Sequence, residues 1–73
     1  MNFPSKEIVQ RLREIYPIGT RVELLQMDDP YTHIPPGTQG TVTWVDDAGN
    51  VHVAWSNGSS LSAVYGVDRI RKI

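Results

Sequence analysis

Seventy-three residues with a net charge of −1 leave room for one domain and one modest core. A core of that size withdraws only about 60% of the unfolded chain's surface from water. With no cysteine, the chain has neither a disulfide nor a thiolate metal site to support it, and its charge balance excludes a strongly basic nucleic-acid binder.

The first residues lack the basic start and apolar run of a secretory signal. No apolar stretch approaches the roughly 20 residues that span a bilayer. A soluble, cytoplasmic protein without membrane contact is therefore expected. The charges are unevenly placed: Lys6, Arg11, Arg13 and Arg21 lie at one end and Arg69, Arg71 and Lys72 at the other. Between residues 22 and 68 there is no Lys or Arg, only Glu23, Asp28, Asp29, Asp46, Asp47 and Asp68.

In chain order, residues 5–16 read as the one helix. Ser5 is placed to cap it, and Glu7 complements its positive end. Ile8, Leu12 and Ile15 fall on one face at helical spacing, widened by Val9 and Tyr16, while Arg11, Arg13 and Glu14 point outward. Pro17 disfavours helical geometry at Tyr16 and ends the helix. About three turns are too few to stand alone, so the helix must dock on the rest of the chain.

Residues 19–73 read as β structure. Thr20–Leu25 alternates, with Val22 and Leu24 facing one way and Arg21 and Glu23 the other. A polar, proline-bearing loop runs from Gln26 to Pro36. Gly37-Thr38-Gln39-Gly40 leads into a second strand, Thr41–Val45, closed by Asp46-Asp47-Ala48-Gly49. The third strand is Val51–Trp55, with Val51, Val53 and Trp55 on one face. Asn57-Gly58 predicts a type I′ hairpin turn, followed by a fourth strand over Ser60–Tyr65. Gly66-Val67-Asp68 reads as a tight turn and Arg69–Ile73 as the last strand. Repeats and linkers are absent. A long loop after strand one, tight hairpins, and one turn before a brief last strand predict a mainly β domain: a five-stranded SH3-like barrel preceded by one α-helix. Val22, Leu24, Val42, Val51, Val53, Trp55, Leu61 and Ile70 are its expected core.

Gly37-Thr38-Gln39-Gly40-Thr41-Val42, Val53-Ala54-Trp55-Ser56-Asn57-Gly58-Ser59 and Tyr65-Gly66-Val67-Asp68 resemble SH3-like modules of the KOW and Mib-Herc type. Over its whole length the chain resembles a family of short bacterial and phage or mobile-element proteins known as domain of unknown function 4314. The resemblance rests on Phe3-Pro4-Ser5-Lys6-Glu7-Ile8-Val9, Gly19–Leu24, Met27-Asp28-Asp29-Pro30 and Asp68–Ile73. It implies the fold and no activity. The KOW and Mib-Herc likeness implies binding of RNA, ribosomal partners or peptides.

Chemistry-bearing patterns are sparse. No nucleophile elbow surrounds Ser56, Ser59, Ser60 or Ser62, and so small a barrel lacks a water-excluding pocket, which argues against an enzyme. Asp28-Asp29 and Asp46-Asp47 read as turn residues. His33 and His52 each lack a second ligand at metal-binding spacing, so neither a metal nor a cofactor is expected. Two binding readings follow. An acidic–aromatic groove of Asp28, Asp29, Tyr31, Trp44 and Tyr65 would take a protein or a cationic or proline-rich peptide, with rings packing on it and acids pairing its charges. The alternative is a nucleic-acid patch of Arg21, Arg69, Arg71 and Lys72 on strands one and five, opposed by the acidic loops. Trp44 is decided by Val45: if a bulge turns Val45 inward, Trp44 is exposed. A monomer is expected, since no long apolar face is left once the helix docks.

Overall fold

The computed structural model describes residues 4–28 and 34–73. One helix, α1 (Lys6–Ile15), precedes five strands: β1 (Arg21–Gln26), β2 (Gln39–Val45), β3 (Asn50–Trp55), β4 (Ala63–Val64) and β5 (Arg69–Lys72). The strands form one antiparallel sheet in the order β4-β3-β2-β1-β5. The mainly β architecture with a leading helix, and the adjacency of strands one and five, are as the sequence predicts. The sheet does not close into the expected barrel: β4 and β5 are its two edges, joined in sequence by the turn at Gly66–Asp68.

Ser5 caps α1, its hydroxyl accepting from the Ile8 amide at 3.3 Å. The buried face is turned from the expected one: Val9 and Leu12 are buried, Ile8 is half-buried and Ile15 is exposed. Arg13 accounts for the turn. Rather than pointing outward, it reaches the β2–β3 hairpin, donating from Nε to the Val45 carbonyl at 3.2 Å and from Nη2 to Asp47 Oδ1 at 2.8 Å. The helix therefore packs along β2 with its Val9–Arg13 side, and Ile15 is left beside the sheet edge.

Of the eight predicted core residues, Val22, Leu24, Val42, Val51, Val53 and Trp55 are buried, while Leu61 and Ile70 pack against them only partly buried. Ile34, Val45 and Ala63 join them. Trp55 finds a partner for its ring N–H in the Leu61 carbonyl at 2.7 Å, as a buried indole requires. Val45 enters the core through a register shift between Val42↔Val53 and Trp44↔His52, which leaves Thr43 as the extra residue.

Two predicted details differ. The fourth strand shrinks to two residues, because the stretch before it makes local bonds: Trp55 N–H donates to Ser59 O, and Leu61 N–H to Ser59 Oγ. The hairpin turn is not type I′, since that geometry needs positive φ at Asn57 and among the described residues only glycines have it. Instead Gly58 N–H closes on the Trp55 carbonyl at 3.0 Å, and Asn57 Oδ1 accepts from the Ser59 amide.

A Pro-x-Gly-Thr turn occurs twice. In Pro17-Ile18-Gly19-Thr20 and in Pro35-Pro36-Gly37-Thr38, the threonine amide and hydroxyl both donate to the proline carbonyl. Both glycines have φ near +90°, which a side chain resists. The first turn feeds β1 and bonds to Val42, while the second feeds β2 and bonds to Leu24.

No helix among the described residues is long and apolar enough to cross a membrane.

Candidate functional site

The α1 face that Arg13 turns away from the sheet borders the Val64–Ile70 segment. Between them lies a cleft of about 440 Å³, walled by Ile15, Leu25, Val64, Tyr65, Val67 and Ile70. The first five of these are exposed large apolar side chains. A second cleft of about 280 Å³, lined by Glu7, Ile8, Arg11, Leu12, Ile15 and Tyr65, continues it along the helix. Tyr65 stands where the two meet, 49% exposed.

Asp68 sets the shape of the larger cleft. Its Oδ1 accepts from the Asp28 amide and its Oδ2 from the Val64 amide, both at 2.9 Å. One carboxylate thus ties the end of β1 to β4 and fixes the turn that carries Tyr65. Tyr16 forms part of the floor, and burial raises its phenol above the ordinary value.

The residues of the predicted acidic–aromatic groove do not all meet here. Tyr65 lines the cleft, and Asp28, with an exposed side chain, adjoins it through Asp68. Asp29 and Tyr31 lie outside the described residues. Trp44 is 51% exposed, and Val45 only 5%, as the bulge dictates. It belongs to a different cleft, with Arg13, Tyr16, Pro17, Ile18 and Val45. Its ring stacks on His52, centroids 4.6 Å apart and planes 20° apart. His52 in turn donates from Nε2 to Asp46 Oδ2.

The basic residues are also divided. Opposed residues of an antiparallel pair share a face, so Arg71 lies with Glu23 on the outer face, whereas Lys72 falls opposite Val22 on the core side. Glu23 accepts from Arg71 Nε at 2.6 Å. Arg21 donates to Thr41 Oγ1 and Gln39 Oε1. Arg69 lies beyond Arg71 at the cleft wall. The outer patch is therefore an alternation of cation and carboxylate, with its side chains already engaged.

The cleft's apolar walls were hidden in the sequence, although one signal was available. Leu24 and Leu25 are consecutive in a strand, so only one of them can face the core.

Residues 5–73 match the family described as Domain of unknown function (DUF4314). The chain belongs to this family. No curated protein and no solved structure matches the DUF4314 chain. The cleft lies wholly within the matched DUF4314 residues.

Proposed function

We propose that the chain is a non-enzymatic binding module that takes a protein or peptide segment in the cleft between α1 and the Val64–Ile70 segment. The observation that carries this reading is the convergence of Ile15, Leu25, Val64, Tyr65 and Val67, all exposed, on one concavity. Single exposed apolar residues need no explanation, but a contiguous group of them marks a place where something docks. Tyr65 supplies a rigid ring with a polar tip, the type of residue that anchors interfaces. Glu7 at one end and Asp28 beside the other are placed to pair Lys or Arg of a bound segment, which keeps a cationic or proline-rich peptide as the expected class. His52, the described histidine, is committed to Asp46 and Trp44, so it is not free to serve as a base.

The test is to select binders from a displayed random-peptide library and titrate them into isotope-labelled protein. Shifts at Ile15, Leu25, Tyr65 and Val67 that Tyr65→Ala removes, with folding intact, support the cleft. Binders that shift only the Arg21–Arg71 face, or that bind Tyr65→Ala equally well, refute it.

A further inference from the structure

The edge of the sheet at β5 has its own hydrogen-bonding capacity. Ile73 N–H donates to the Arg21 carbonyl at 3.1 Å, which makes Arg21 and Ile73 a bonded pair of the β1–β5 ladder. Bonded pairs alternate in an antiparallel ladder, so Glu23 and Arg71 are the next. Val22↔Lys72 and Leu24↔Ile70 are then non-bonded pairs, with main-chain groups turned away from each other. Leu24 uses its amide on the far side, donating to Thr38 O at 2.8 Å. Ile70 and Lys72 turn their N–H and C=O to the outer side of β5, where the described sheet has no further strand.

The side chains on this edge restrict what can pair with it. Arg69, Arg71 and Lys72 are exposed, and Arg71 is occupied by Glu23. A second copy of β5 would set cations against cations, which is destabilising. Lysine and arginine on an edge often serve only to block such pairing. Here, however, Ile70 lies half-buried among them and continues the apolar wall of the cleft. A strand laid along β5 would gain an apolar neighbour as well as charge pairing.

We propose that the outer edge of β5 accepts an extended acidic segment of a partner protein as a sixth strand. The main chain of Ile70 and Lys72 supplies the ladder, and Arg69 and Lys72 pair the segment's carboxylates. This does not depend on the cleft being a binding site, because it uses main-chain groups and charges that the cleft reading leaves unused.

The probe is a blocked peptide of paired glutamates spaced by threonine and valine, so that carboxylates reach Arg69 on one face and Lys72 on the other, with a lysine counterpart as control. On binding the acidic peptide, hydrogen exchange should slow at the Ile70 and Lys72 amides. Lys72→Pro removes one outward donor while leaving the β1–β5 ladder intact, since edge strands tolerate proline where the N–H faces out. Because it deletes the Lys72 charge together with one hydrogen bond, it should weaken binding by about tenfold or more. Arg69→Glu with Lys72→Glu should reverse the preference to the lysine peptide, while Tyr65→Ala should leave acidic-peptide binding unchanged. Unchanged exchange at Ile70 and Lys72, or equal binding by Lys72→Pro, overturns the proposal. So does a wild-type dimer in sedimentation that Lys72→Pro dissolves, which would assign the edge to a second copy.

Discussion

His52 Nε2 lies 2.9 Å from Asp46 Oδ2, and the same carboxylate accepts from the Ala48 amide and from the amide and side chain of Asn50. Partial burial works against ionisation of Asp46. The hydrogen bonds from His52, Asn50 and Ala48 outweigh it and lower the group from 3.8 to about 2. A carboxyl that binds its proton less tightly when folded contributes stability that is complete above its unfolded value and lost as pH falls towards the folded one. The urea midpoint should therefore hold above pH 4 and decline between about 4 and 2. Asp46→Asn should lower the midpoint at neutral pH and flatten the decline, as urea titrations of both proteins across that range will show.

The two tryptophans should separate cleanly in stability. Trp55 is buried in the core and donates to Leu61 O, so Trp55→Ala should cost about 3–5 kcal/mol. Trp44 lies half in solvent, its ring stacked on His52, so Trp44→Ala should cost about 1 kcal/mol or less. Chemical denaturation of the two variants measures the difference.

Asp68→Ala should loosen the segment that carries Tyr65. Its carboxylate serves two amides that are 36 residues apart in sequence, Asp28 and Val64, and the loss should cost about 1–3 kcal/mol. Hydrogen exchange at these two amides should accelerate more than exchange at Val22 or Val53. Uniform acceleration would mean that Asp68 supports the whole fold rather than the cleft.

Nucleic-acid binding is expected to be weak. Glu23 stands among the cations of the outer face and holds Arg71. In fluorescence polarisation with a labelled oligonucleotide, the wild type should bind poorly even at low salt, and Glu23→Gln should strengthen binding in a salt-sensitive way. Tight wild-type binding with a steep salt slope would restore the patch of Arg21, Arg69, Arg71 and Lys72 as the principal surface.

Much of the fold was legible because two-residue alternation in Thr20–Leu25 and Val51–Trp55 has one reading. What escaped depended on contacts distant in sequence. The side of α1 that is buried follows from Arg13 reaching Val45 and Asp47, which helical spacing cannot reveal. The position of Trp44 turns on a single extra residue at Thr43, visible in sequence only as a conflict between Val42 and Val45. The shortening of the fourth strand follows from bonds that Trp55 makes with Ser59 and Leu61. The candidate cleft was legible in part: Tyr65 was named, but its apolar neighbours come from α1, β1 and β4, which no local pattern connects.

The paired Pro-x-Gly-Thr turns bear on how the chain tolerates change. One sets Gly19 and Thr20 against Val42, and the other sets Gly37 and Thr38 against Leu24, so β1 and β2 are indexed to each other from both ends. Sliding one strand by a residue would break both sets of bonds and turn every inward side chain out. Alignment is thus written into the turns and not into the length of chain that joins the strands.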